Sequence, residues 1–135
     1  MSDIESNKRV VSEFIEAVYA GDMERVAAVL AEDAHWHFHG RLPVCGDYGS
    51  RREILEDMLG REAMPLYEPG SLTVEVKSMI AEGDTVAVEW RGRGRSVKGG
   101  TYDNDYSFFF EVRDERITSL REYCDTLHVS DVLYA

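Results

Sequence analysis

Residues 102–124 read YDNDYSFFFEVRDERITSLREYC, and the twofold period of this stretch decides the fold class. Tyr102, Asn104, Tyr106, Phe108 and Phe110 fall on alternate positions, which places them on one face of an extended strand. Asp114-Glu115 supplies a turn, and Ile117 to Cys124 follows as the next strand. So short a connection pairs the two strands antiparallel. The same period extends upstream. Leu72, Val74 and Val76 alternate with polar residues, Gly83-Asp84 makes a turn, and Val86, Val88 and Trp90 alternate with Ala87, Glu89 and Arg91.

Ahead of these strands the period is helical. Val10, Val11, Phe14, Ile15, Val18 and Tyr19 form an apolar stripe between Ile4 and Ala20, with Glu5, Lys8, Arg9, Glu13 and Glu16 on the other side. Gly21 is a natural stop, and Asp22 can cap a second helix bearing Val26, Val29 and Leu30. Ser50 can cap a third, Arg51 to Leu59, ending near Gly60. Between them His35-Trp36-His37-Phe38-His39 alternates strictly, so Trp36 and Phe38 share one face of a first strand and the histidines the other. Helices followed by a strand meander define an α+β class. The expectation is one domain over residues 1–135, with three N-terminal helices packed on a cone-shaped curved antiparallel sheet. That sheet has about five strands, with room for a short extra one.

Composition narrows the partners. The 135 residues carry a formal net charge of −11, from 26 acidic and 15 basic side chains, which repels nucleic-acid phosphates and anionic lipid. No apolar run approaches the roughly 20 residues of a membrane span, and the opening MSDIESNKRVV lacks an apolar leader core, so a cytoplasmic protein is expected. Cys45 and Cys124 have no metal or disulfide spacing; they read as small buried hydrophobes, with Cys124 as a pocket wall the alternative.

Three local strings carry a family resemblance: Ala20-Gly21-Asp22 closing the first helix, Leu30-Ala31-Glu32-Asp33-Ala34 entering the first strand, and the final Arg121-Glu122-Tyr123-Cys124-Asp125-Thr126. With the order of elements, the chain resembles the nuclear-transport-factor-2-like superfamily, especially its SnoaL-like and ketosteroid-isomerase-like members. The resemblance implies a sheet wrapped into a cone, a small-molecule pocket in its hollow, and homodimers through the outer sheet face.

Glu122 is the leading catalytic candidate. It shares a strand face with Leu120 and Cys124, and burial in such surroundings raises a carboxyl pKa toward the useful range. It also falls where the resemblance places the closing-strand aspartate of polyketide cyclases and limonene-epoxide hydrolases. Glu89 and Arg91 share one face of their strand, so either they join Glu122 in a polar cluster on the pocket wall or they lie on a solvated outer face with Val88 and Trp90 turned inward. The remaining pocket candidates are Phe14, Trp36, Phe38, Asn104, Tyr106 and Phe108. Matched to steroid isomerases, Phe14 and Phe38 replace the oxyanion-binding tyrosine and the proton-shuttling aspartate, which excludes classical ketosteroid isomerase activity. Phe108 likewise replaces a pocket histidine of the polyketide cyclases. His35, His37 and His39 face away from the core and are not expected to hold a metal. Asp125 reads as a cap of the C-terminal segment through Thr126, with a place at the pocket mouth the alternative.

The resulting expectation is acid–base chemistry without a cofactor on a small, largely apolar organic molecule, by cyclisation, isomerisation or epoxide hydration. The alternatives are a non-catalytic binding module and a dimerisation domain of the same fold.

Overall fold

A computed structural model describes residues 3–135. Helix α1 (Ile4–Ala20) starts where the Asp3 carboxylate accepts the Ser6 amide at 3.2 Å and stops at Gly21, whose φ of 70° is left-handed. A side chain would be strained there. Helix α2 (Met23–Val29) is capped by Asp22 through the Arg25 amide at 3.2 Å. Arg25 also reaches back to Glu13 on α1 at 2.7 Å and fastens the hairpin.

The third helix differs from expectation in its end. Ser50 caps it through the Glu53 amide at 3.1 Å, but the chain runs past Gly60 as a π-helix, Glu53–Ala63, with a tight turn over Met64–Leu66. A Cβ on Gly60 would lie 2.9 Å from the Leu55 carbonyl oxygen. Glycine therefore permits the wider winding instead of ending the helix. A further helix at the C-terminus, Thr126–Val129 continuing to Tyr134, was not anticipated beyond its cap. Asp125 caps it through the amides of Leu127 and His128.

The sheet has six strands: β1 (Leu30–Phe38), β2 (Gly46–Tyr48), β3 (Thr73–Glu82), β4 (Thr85–Arg95), β5 (Thr101–Arg113) and β6 (Arg116–Cys124). Their order is β2-β1-β6-β5-β4-β3, and the curved sheet does not close. β3 to β6 form the expected antiparallel meander. β1 lies parallel to β6, however, with Trp36 opposite Leu120 and Phe38 opposite Glu122, so the sheet is mixed. Turn length dictates direction only for neighbouring strands joined by a turn. β1 and β6 are separated by nearly the whole domain, and no sequence period records their relative direction.

The concave face carries the core. Trp36, Phe38, Val86, Val88, Trp90, Tyr102, Phe108, Phe110 and Leu120 are buried on it. The alternation slips once in β3, where a bulge between Val76 and Ser78 exchanges the two faces. Beyond it Met79 and Ala81 are the half-buried residues, while Ile80 is 68% exposed and Val76 45% exposed. Phe14 of α1 locks the helices to the sheet by meeting Trp36 and Phe110 edge-on, at centroid distances of 5.8 and 5.6 Å. Its ring is almost completely buried, and truncating such a residue removes both transfer energy and packing. Phe14→Ala is expected to lower unfolding free energy by about 3–5 kcal/mol, read as a shift in the urea midpoint.

Candidate active site

β6 turns Leu120 and Glu122 inward, and the strands on either side turn Phe38 and Phe108 inward opposite Glu122. The carboxyl thus emerges between two phenyl rings and is 5% exposed. Trp36 Nε1 donates to Glu122 Oε1 at 3.0 Å, the one side-chain hydrogen bond Glu122 makes among the described residues. Burial pushes its pKa up to about 8, with the Trp36 bond pulling the other way. A carboxyl in this state is mostly neutral at pH 7 and can donate a hydrogen bond or a proton to an oxygen acceptor.

Glu122 stands between two cavities. The first, about 80 Å³, is lined by Phe14, Trp36, Trp90, Tyr106 and Phe108 together with Met58 and Leu59 of the π-helix. Trp90 stacks on Phe108 at 4.2 Å in its wall. The second, about 50 Å³, lies under the C-terminal helix, against Phe38, Val44, Val129 and Leu133. Tyr67, Tyr102 and Tyr106 border both. Tyr102 and Tyr106 share a hydroxyl–hydroxyl bond, and Asn104 Nδ2 donates to Tyr102 Oη at 2.9 Å and to the Asp125 carbonyl at 3.1 Å. Burial holds these phenols far above their ordinary pKa, so they stay protonated.

Several expectations need correction. Arg91 and Glu89 do not join Glu122: Val88 and Trp90 take the inward positions of β4 and leave both charges on the outer face. There Arg91 grips Asp103 with two hydrogen bonds, 2.6 and 2.7 Å, and draws the Asp103 pKa down to about 2. Alternation forbids a strand to bury Trp90 and Arg91 together. Of the pocket candidates, Phe14, Trp36, Tyr106 and Phe108 line the first cavity and Phe38 the second. Leu120 is packed core, Asn104 acts behind the tyrosines, and Cys124 lines neither cavity. Unforeseen members are Tyr67, Met58 and Met64. The amphipathic pattern of the third helix could have indicated Met58, but Tyr67 sits in an irregular segment with no periodic signal. On the outer face His37 Nδ1 and His35 Nε2 both meet Asp47 Oδ1, at 2.8 and 3.2 Å.

A family model described as a SnoaL-like domain matches residues 11–120. The chain belongs to this SnoaL-like family. No curated protein matches it in sequence. Solved structures match it closely in shape and place it in the NTF2-like superfamily. An NTF2-like protein of Burkholderia xenovorans LB400 is 27% identical, with a TM-score of 0.77 over 97% of this chain and 98% of that one. TerC, co-crystallised with polyporic acid, is 19% identical, with a TM-score of 0.83 over 96% and 99%. An M. tuberculosis LEH-like epoxide hydrolase is 22% identical, with a TM-score of 0.77 over 98% and 92%. No helix of the described residues is long and apolar enough to cross a membrane.

The buried carboxyl of this SnoaL-like chain has a consequence for stability. Its folded pKa of about 8 lies above the ordinary 4.5, so the folded state holds the proton more tightly and Glu122 favours folding fully below pH 4.5. That contribution is lost as pH rises toward and through 8. Asp103, whose pKa is lowered to about 2, contributes constantly over this range and loses its contribution only in strong acid. Urea unfolding between pH 5 and 8.5 should therefore show falling stability in the native protein and a flatter profile in Glu122→Gln.

Proposed function

We propose that this protein is a cofactor-independent acid–base enzyme acting on a small, largely apolar organic molecule, with Glu122 as the proton donor to a substrate oxygen. The observation that carries the reading is a carboxyl enclosed by aromatic rings, hydrogen-bonded to Trp36 and, among the described residues, without a cation beside it. A neutral acid in a water-poor cavity can stabilise charge developing on a carbonyl or epoxide oxygen, and such groups typically contribute about 10²-fold or more. The tyrosines and Asn104 form the polar part of the wall, and the aromatic faces accept the apolar body.

A second reading, a binding module without turnover, is favoured by the small size of the cavities. Small apolar epoxides and β,γ-unsaturated ketones, offered separately, decide between the two. The enzyme reading expects hydration or isomerisation that falls as pH rises through about 8, with Glu122→Gln losing about 10²-fold or more in kcat while remaining folded. Turnover unchanged in Glu122→Gln would remove the residue from the chemistry; binding without turnover would support the module.

The outer face supports a homodimer as well. Tyr123 is 38% exposed there, beside Phe109, whose ring lies 5.6 Å from the Arg121 guanidinium. Light scattering at micromolar concentration should give twice the monomer mass, and a monomer would refute the assignment.

A further inference from the structure

The chamber beside Glu122 does not end at Tyr67. A groove of about 440 Å³ runs from there between the α1–α2 turn and residues 68–72. Tyr19, Met64, Tyr67 and Leu72 line both spaces, so the four side chains form one partition between them. Ala20, Met23 and Pro69 belong to the groove alone. The inner chamber, about 80 Å³, has room for only a handful of heavy atoms. The space on the other side of Glu122, about 50 Å³, is smaller still, so a molecule that reaches Glu122 and outgrows both has the groove beyond the partition as the larger space to extend into.

Charge limits the head group. Among the described residues neither lining includes a Lys, Arg or His, whereas Glu122 lines the chamber and Glu68 the groove. An anionic head would lose its hydration with no cation to replace it. An uncharged oxygen can accept the Glu122 hydrogen bond without that cost. The partition favours a slender chain as well, because Met64 and Leu72 are flexible side chains that can part around methylenes, whereas the two tyrosine rings restrict bulk.

We propose that this groove is a second compartment of the same site, and that the ligand is an unbranched aliphatic chain ending in a neutral carbonyl, with its oxygen at Glu122 and its tail past Tyr67 in the groove. The inference rests on the reading of Glu122 as the oxygen-binding group but concerns where the rest of the molecule lies.

The test uses the protein's own tryptophans. The chain has two, Trp36 and Trp90, and both line the inner chamber, so their fluorescence reports its occupancy. 2-Butanone, 2-hexanone, 2-octanone and sodium octanoate are titrated at pH 6 into the native protein and into Ala20→Phe, which narrows the groove without touching the chamber. Affinity in the native protein is expected to rise about fourfold per added methylene, and octanoate is expected to bind at least tenfold more weakly than 2-octanone. Ala20→Phe should bind 2-butanone as the native protein does and lose the gain with chain length. If 2-butanone binds but longer ketones gain nothing, or if the gain survives Ala20→Phe, the groove is not the tail site, and the reading of Glu122 stands. Octanoate binding as well as 2-octanone would overturn the neutral head group. No fluorescence response to any ketone would overturn both this inference and the oxygen-binding role of Glu122.

Discussion

The hydrogen bond from Trp36 to Glu122 crosses the parallel pair β1–β6, and the arrangement of the domain depends on that pair. It joins the strand that follows the helical hairpin to the strand that ends the meander. Without it, the helices would have no strand of their own to cover, and the concave face would stop at β6. With it, Phe14 reaches Trp36 from the helix side and Phe110 from the sheet side. One tryptophan thereby takes part both in the central packing and in holding the carboxyl.

The energetics of that carboxyl follow from what surrounds it. A buried carboxylate is normally stabilised by a cation or by several donors; Glu122 has one indole N–H. Desolvation therefore outweighs the hydrogen bond, and the proton stays on. Arg91 instead runs outward to Asp103, and the protonation of Glu122 is governed by burial against the single Trp36 bond.

Membership of the SnoaL-like family and the shape shared with NTF2-like structures account for the scaffold. They leave the chemistry to the side chains in the hollow. Those side chains form a graded enclosure: aromatic faces around Glu122, phenol hydroxyls and Asn104 behind it, and methionine and leucine toward the outside. Aromatic rings are rigid and leave the Glu122 side chain buried. Met64 at the partition is flexible and able to adjust.

The sequence by itself determined the class of fold, because periodicity is a local property: the 3.6-residue stripe of α1 and the twofold rows of β4, β5 and β6 need no partner to be recognised. It also pointed to Glu122, since Leu120 flanks it on an inward face, and to Asp22, Ser50 and Asp125 as caps, whereas the Asp3 cap of α1 emerges only from the structure. Only the tertiary structure decided the direction of β1 against β6, which depends on contacts across the whole chain. It also decided which face of β4 turned inward, because Val88 with Trp90 and Glu89 with Arg91 both alternate and only the sheet's curvature selects the apolar pair. Tyr67 and Met64 entered the site through an irregular segment whose path is set by what it packs against, and no repeat in the sequence records that path.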